Sequence, residues 1–338
     1  MAGMERPILV AFISAISAMA ASGGYHVSGK IQIGGEGGWD YITMDSDARR
    51  LYVSHGAKVV VVDVDSEKIL GEIPNTQGVH GIAIAPGLNR GYISNGRTND
   101  VTVFDLKTLK EVGRISTGQN PDAILYDPHS NRVFTFNGRS SDSSVIDTAT
   151  DKVVATIPLG GKPEFSATDG SGKVWVNIED KNEIAEIDAA NAKVTKTYPL
   201  EGCDEPSGLA MDTKAHHLFS VCGNKLMIVS DPGAGKVVAK VPIGQGPDAA
   251  GFDPGLGFAY SSNGEGTLTV VRQSGGKYEV VENATTQRGA RTMAVDTKTH
   301  KVYMPTAQFG PAPAPTQDVP HPRPSMVPGS FVILVVSQ

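Results

Sequence analysis

Residues 118–160 read Gly118-Gln-Asn-Pro-Asp122-Ala-Ile-Leu-Tyr-Asp127-Pro128, then Asn131-Arg-Val-Phe-Thr-Phe-Asn137-Gly138, then Ser144-Val-Ile-Asp147-Thr-Ala-Thr-Asp-Lys152, and close on Val153-Val-Ala-Thr-Ile-Pro-Leu-Gly160. Apolar or alternating runs of about five residues are separated by Asp-Pro, Asn-Gly and Asp-Thr turn signals, the pattern of four short antiparallel strands. The unit recurs. Aligned copies place one residue after each inter-unit loop at Asp40, His80, Asp122, Glu164, Ser207, Asp248 and Arg291, at intervals of 40 to 43 residues. A second column, at the end of the second strand, reads His55, Asn95, Asn137, Asn177, Cys222, Asn263 and Thr306. Seven copies of a four-stranded unit of this length predict an all-β fold, a seven-bladed β-propeller.

The chain ends support closure of the ring. The seventh copy supplies only three strands, Thr292–Asp296, Lys301–Met304 and Phe331–Val336. The missing outer strand is expected from Tyr25–Ile33, where Lys30-Ile-Gln-Ile-Gly34 resembles the other outer strands. Pairing the two ends within one blade removes open sheet edges. The expected organisation is therefore one propeller over residues 25–338, its N-terminal strand completing the last blade. A Pro-rich insertion at 310–329 joins the second and third strands of blade 7. It is expected to emerge on the face of the first column as extended chain, either as a surface loop or as a lid with His321 and Arg323 able to reach the channel mouth.

Composition narrows the class. Charged residues make up 20% and hydrophobic ones 40% of 338 residues, which excludes a disordered or membrane-embedded chain. A net charge of −6 argues against a general nucleic-acid binder. Two cysteines cannot build an all-cysteine zinc site or an iron–sulfur centre, and no Cys-x-x-Cys-His is present for c-type haem. At the N-terminus, Arg6 precedes an apolar run from Ile8 to Met19, and Ala18-Met19-Ala20 offers a small-x-small cleavage site. This is the layout of a secretory signal over residues 1–20, so the mature chain is expected in the periplasm or outside the cell, with no membrane span after cleavage. Cys203, in the loop entering blade 5, and Cys222, ending that blade's second strand, should share one face. Export would favour a bond between them; the alternative is one buried and one exposed thiol.

Phrases such as Leu51-Tyr-Val-Ser54, Gly91-Tyr-Ile-Ser-Asn95, Val103-Phe-Asp105 and Ala155-Thr-Ile-Pro-Leu-Gly160 resemble the YVTN-repeat propellers. These are exported bacterial and archaeal proteins related in fold to the quinoprotein dehydrogenases. The likeness runs over nearly the whole mature chain and implies a fold and an export route, not a particular reaction.

In such a blade the innermost strand begins, and the second strand ends, on the same face of the disc. The first column should therefore ring the mouth of the central channel, with the second standing just outside it. Asp40, Asp122, Glu164 and Asp248 are the candidate metal ligands, because like charges in one funnel need protons, a cation or Arg291 to compensate them. Such oxygen ligands suit Ca²⁺ first, whereas His55 and His80, expected neighbours from blades 1 and 2, would admit a transition metal. Asn95, Asn137, Asn177, Ser207, Asn263 and His55 are the candidate ligand-binding residues, although an asparagine at a strand end also serves its own turn. His129, His216, His217 and His300 fall in turns on the opposite face.

Three functions follow. The leading one is an exported binding protein whose acid-rich funnel takes a small ligand or a divalent metal, with a protein partner on the rim as a further option. The alternative is a metal-dependent hydrolase of the lactone, ester or phosphoester class, with His80 or Glu164 as base and Arg291 as oxyanion stabiliser. A quinoprotein oxidoreductase is disfavoured: there are no adjacent cysteines and only Trp39 and Trp175, so neither PQQ nor haem is expected.

Overall fold

The computed structural model describes residues 24–314 and 324–338; the signal at 1–20 and the loop residues His321 and Arg323 lie outside the described residues. Seven four-stranded antiparallel sheets form the ring, six of them in simple chain order. The seventh is ordered His26–Gln32, Val332–Ser337, Lys301–Thr306, Ala294–Asp296 from rim to axis, so the N-terminal strand completes blade 7. Its partner is Val332–Ser337, in a register running from His26 opposite Ser337 to Gln32 opposite Val332. Side chains reinforce the seam. Arg49 of blade 1 meets the buried Asp296 of blade 7 at 2.7 Å, and the Thr292 hydroxyl donates to the Asp40 carbonyl at 2.8 Å.

Burial explains the sequence pattern strand by strand. The middle strands of each blade face neighbouring blades on both sides, so Leu51–Val53 and Val59–Val62 are shielded on successive residues and read as continuous apolar runs. The outermost strands bury only one face and alternate instead, as in Lys193–Pro199. In all seven blades a register shift interrupts the pairing of the third strand with the outermost one, a bend that blunts an exposed edge.

Near the axis the blades approach closely. A Cβ on Gly208, in the innermost strand of blade 5, would stand 2.4 Å from the Ala250 amide nitrogen of blade 6. Because that neighbour is backbone, it cannot swing aside. Gly208→Ala is therefore expected to cost about 1–3 kcal/mol, read as a lower denaturant midpoint; an unchanged midpoint would contradict this packing.

Cys203 and Cys222 are joined in a disulfide with Cα atoms 5.4 Å apart, leaving no free cysteine. The bond pins the loop entering blade 5 to the end of that blade's second strand. The base of the Pro-rich insertion is zipped by a bridge between Phe309 and Met326, with the Gly310 amide donating to the Ser325 carbonyl at 2.9 Å.

Candidate functional site

The ionisable column stands where innermost strands begin, and local backbone irregularity aims it. In blades 2 to 6 the pairing of first and second strands shifts register around His80, Asp122, Glu164, Ser207 and Asp248. A bulge of this kind re-aims one side chain out of the pleat. Asp40 and Arg291 lie just before the innermost strands of blades 1 and 7 and reach the same mouth from loops.

Three members form one cluster. His80 Nδ1 is 2.6 Å from Asp40 Oδ2 and 3.5 Å from Asp122 Oδ1. One ligand atom from each residue lies within 4.8 Å of the others. The Asp122 Oδ1 atom is shut off from solvent and accepts no hydrogen bond among the described residues. Burial pushes the Asp122 carboxyl up to about 6, helped by the charge of Asp40 and opposed by His80 and Lys162. For His80, burial disfavours the imidazolium, yet the hydrogen bond to Asp40 and the field of Asp122 outweigh it and hold its pKa above the ordinary value.

The other carboxylates have their own cations. Of the four candidate ligands, Asp248 and Glu164 thus stand outside the cluster, and Arg291 supplies the compensation expected of it. Asp248 is paired with Arg291, whose guanidinium also stands 3.7 Å from Asp40. Glu164 is held by Lys162 at 2.7 Å and accepts a long hydrogen bond from the Tyr41 hydroxyl at 3.5 Å. Its carboxyl is nonetheless raised to about 7, by burial first and by Asp122 second.

Other expected residues do not reach the mouth. His55 is buried between blades 1 and 7, its ring stacked on Phe331 at 4.2 Å and its Nε2 hydrogen-bonded to the Gly34 carbonyl at 3.0 Å. It is therefore no partner of His80. The asparagines are fully buried and committed to their surroundings. Asn95 donates to Asp100 and Thr102, Asn137 to Asp142 and Ser144, and Asn263 to Thr267 and Thr269, each within its own blade. Asn177 reaches the next blade and donates to the Ser207 and Gly208 carbonyls. Buried amides with protein partners latch strands together; the Asn95 Oδ1 alone of the four side chains is buried without a hydrogen bond among the described residues. Ser207 keeps its place on the ring, its hydroxyl 3.4 Å from the Pro247 carbonyl.

Three residues escaped the sequence reading. Tyr41 of blade 1 and Phe165 of blade 4 meet across the axis, edge to face at 4.9 Å, and narrow the channel below the ionisable ring. Lys162 had a visible signal. Two positions before each ring residue the copies read Gly38, Gly78, Asn120, Lys162, Glu205, Gly246 and Gly289, and the lysine is the single cation in that column.

The raised carboxyls make stability depend on pH. Asp122 and Glu164 bind protons more tightly folded than unfolded, so stability falls as pH rises from about 4 through about 7. The raised His80 acts in the same direction, its contribution being lost as pH passes its folded pKa. Urea midpoints of the metal-free chain should decline across this window, and less steeply in Asp122→Asn; a rising profile would contradict the assignment.

No family model matches the chain, and no curated protein matches it. Among solved structures, the chain is similar to Kuenenia stuttgartiensis hydrazine synthase, with a TM-score of 0.69 and 19% identity, covering 79% of this chain and 92% of that one. It is also similar to a chain of the mitotic checkpoint complex, with a TM-score of 0.74 and 12% identity, covering 90% and 96%. Likeness at these identities concerns the fold alone, and the YVTN-repeat family itself is not matched. What the chain shares with these structures is the β-propeller architecture, here with seven blades.

Proposed function

We propose that the chain is an exported propeller that binds one divalent cation at Asp40, His80 and Asp122 and presents it to a small ligand in the funnel. The observation that carries this reading is the solvent-shielded Asp122 Oδ1, which accepts no hydrogen bond among the described residues and stands 3.5 Å from His80 Nδ1, beside Asp40. A buried carboxylate oxygen without a partner is costly, and a cation offsets that cost. Donor spacings of 2.6 and 3.5 Å bracket the roughly 3 Å between ligand atoms around a metal with bonds near 2 Å. Charge is consistent with this. Lys162 is shared by Glu164 and Glu179 and Arg291 is bonded to Asp248, so Asp40 and Asp122 face only His80 and, at 3.7 Å from Asp40, the Arg291 guanidinium.

Ca²⁺ takes six to eight oxygens, and this cluster has two carboxylates and an imidazole, a donor set better suited to a first-row transition ion. Such an ion would polarise a ligand oxygen and orient it. Around it, Asp40 and Asp122 set the charge, and Arg291 offers a guanidinium to an anionic group. The disulfide between cysteines 203 and 222 is in keeping with export to an oxidising compartment.

Calorimetric titration with Zn²⁺, Mn²⁺ and Ca²⁺ tests the reading. Zn²⁺ or Mn²⁺ should bind one per chain, more tightly as pH rises from 5 to 8, because the ligands must lose protons. Asp122→Asn and His80→Ala should weaken binding by at least about tenfold, whereas Asp248→Asn and His216→Ala should not. Equal affinity of His80→Ala and the parent chain would sink it. A second reading, metal-dependent hydrolysis of a lactone, ester or phosphoester, is favoured by Arg291, which lines a cavity beside the cluster. There, chelator should abolish turnover, and Arg291→Ala should spare the metal but lose rate.

A further inference from the structure

The cavity next to the cluster has a different character from the cluster itself. It encloses about 450 Å³ and is lined by Trp39, Phe309, Pro324, Gly289, Arg288 and Arg291, with no carboxylate in its wall among the described residues. That volume lies in the range of small-molecule sites. Trp39 immediately precedes Asp40, so the aromatic wall and a cluster residue share one stretch of backbone. Its indole packs on Phe331 at 5.2 Å and on Phe309 at 6.1 Å between ring centres, which fixes the plane of the wall. Both Trp39 and Phe309 remain partly exposed. The Trp39 Nε1 proton is buried and has no acceptor among the described residues, so the same ring carries an unused donor.

Two cations complete the lining. Arg291 is shared with Asp248 and Asp40, while Arg288, exposed, has no carboxylate partner among the described residues. Gly289 lies between them with φ +87°, and a Cβ there would stand 2.7 Å from the Phe309 ring. A glycine is therefore what lets the turn carrying both arginines pass under the aromatic wall.

We propose that this cavity binds a small aromatic carboxylate, its ring against Trp39 and Phe309 and its carboxylate on Arg288 and Arg291. An aromatic face supplies area at little entropic cost, and guanidinium groups take carboxylates in paired, planar hydrogen bonds. A neutral aromatic would forgo the arginines, and a ringless anion would forgo the wall. The site shares its mouth with the proposed cation but does not depend on it.

The test is calorimetric titration of the full chain with 2-naphthoate, 2-naphthamide and acetate, before and after chelator treatment. The naphthoate should bind, and the amide and acetate should be at least about tenfold weaker. Arg288→Ala, an exposed substitution that should leave the unfolding midpoint unchanged, should weaken the naphthoate by about tenfold. Chelator should leave naphthoate affinity unchanged, which separates this site from the cation reading. Absence of naphthoate binding at millimolar concentration, equal binding of the amide, or an Arg288→Ala chain that binds like its parent would overturn the proposal. Loss of naphthoate binding with chelator would overturn it as well, because the ligand would then be held by the metal.

Discussion

A chain shortened to residues 34–338 is expected to lose cooperative folding, whereas one beginning at residue 24 should unfold in a single sharp transition. The deleted segment is the fourth strand of blade 7. It carries Tyr25 and Ile31, which are 4% and 2% exposed, and Tyr25 also shares a hydrogen bond of 2.7 Å with the Tyr260 hydroxyl of blade 6. Truncating two such side chains alone would cost about 5–10 kcal/mol, comparable with the whole stability of an ordinary domain. The loss also uncovers the Val332–Ser337 edge, a template for intermolecular pairing. Circular dichroism melts and size-exclusion chromatography would read both effects. Ile31→Asp supplies a gentler version, in which one unpaired charge enters a buried position and the transition falls without the ring being shortened. A sharp, undiminished transition in the 34–338 chain would mean that the ring does not need this strand.

The second large effect is expected from the disulfide. Replacing Cys203 and Cys222 together by serine should cost about 3 kcal/mol, the loop-closure value for a bond of sequence separation 19. For a chain of this size that corresponds to a fall in melting temperature of about 5 °C. Both residues are buried, so the serines also leave hydroxyls to be satisfied. The loop thus released precedes Ser207 of the ionisable ring, yet the cation cluster belongs to blades 1 to 3. Stability should therefore drop while cation affinity stays near that of the parent chain. Parallel loss of both would show that the two regions are coupled through the ring.

Most of the architecture was legible in the linear chain because its determinants are short-ranged. Turn chemistry such as Asp127-Pro128 and Asn137-Gly138, apolar runs such as Val59–Val62 and the 40-to-43-residue recurrence each follow from a few neighbouring residues. The incomplete seventh copy likewise announced its partner at the other end of the chain. The ionisable column was visible for the same reason: equivalent positions in equivalent blades lie at one height on the axis.

That column fixes where a Cα atom sits, but not which neighbour its side chain meets. Only the closed ring set His80 between Asp40 and Asp122, because bulges re-aim these side chains and their spacing depends on the pitch between blades. Only the ring turned Glu164 toward Lys162 and Asp248 toward Arg291, dividing four apparently equivalent acids into two paired and two clustered. The asparagines at strand ends folded back because a buried amide needs partners close at hand, and the third strand or the next blade supplied them. His55 found Phe331, 276 positions away, because blade 7 closes against blade 1. Tyr41 met Phe165 because a ring of seven blades brings opposite inner strands within reach across a narrow axis. Strand, turn and repeat are properties of neighbouring residues; a site assembled from several blades is a property of how they close around the axis.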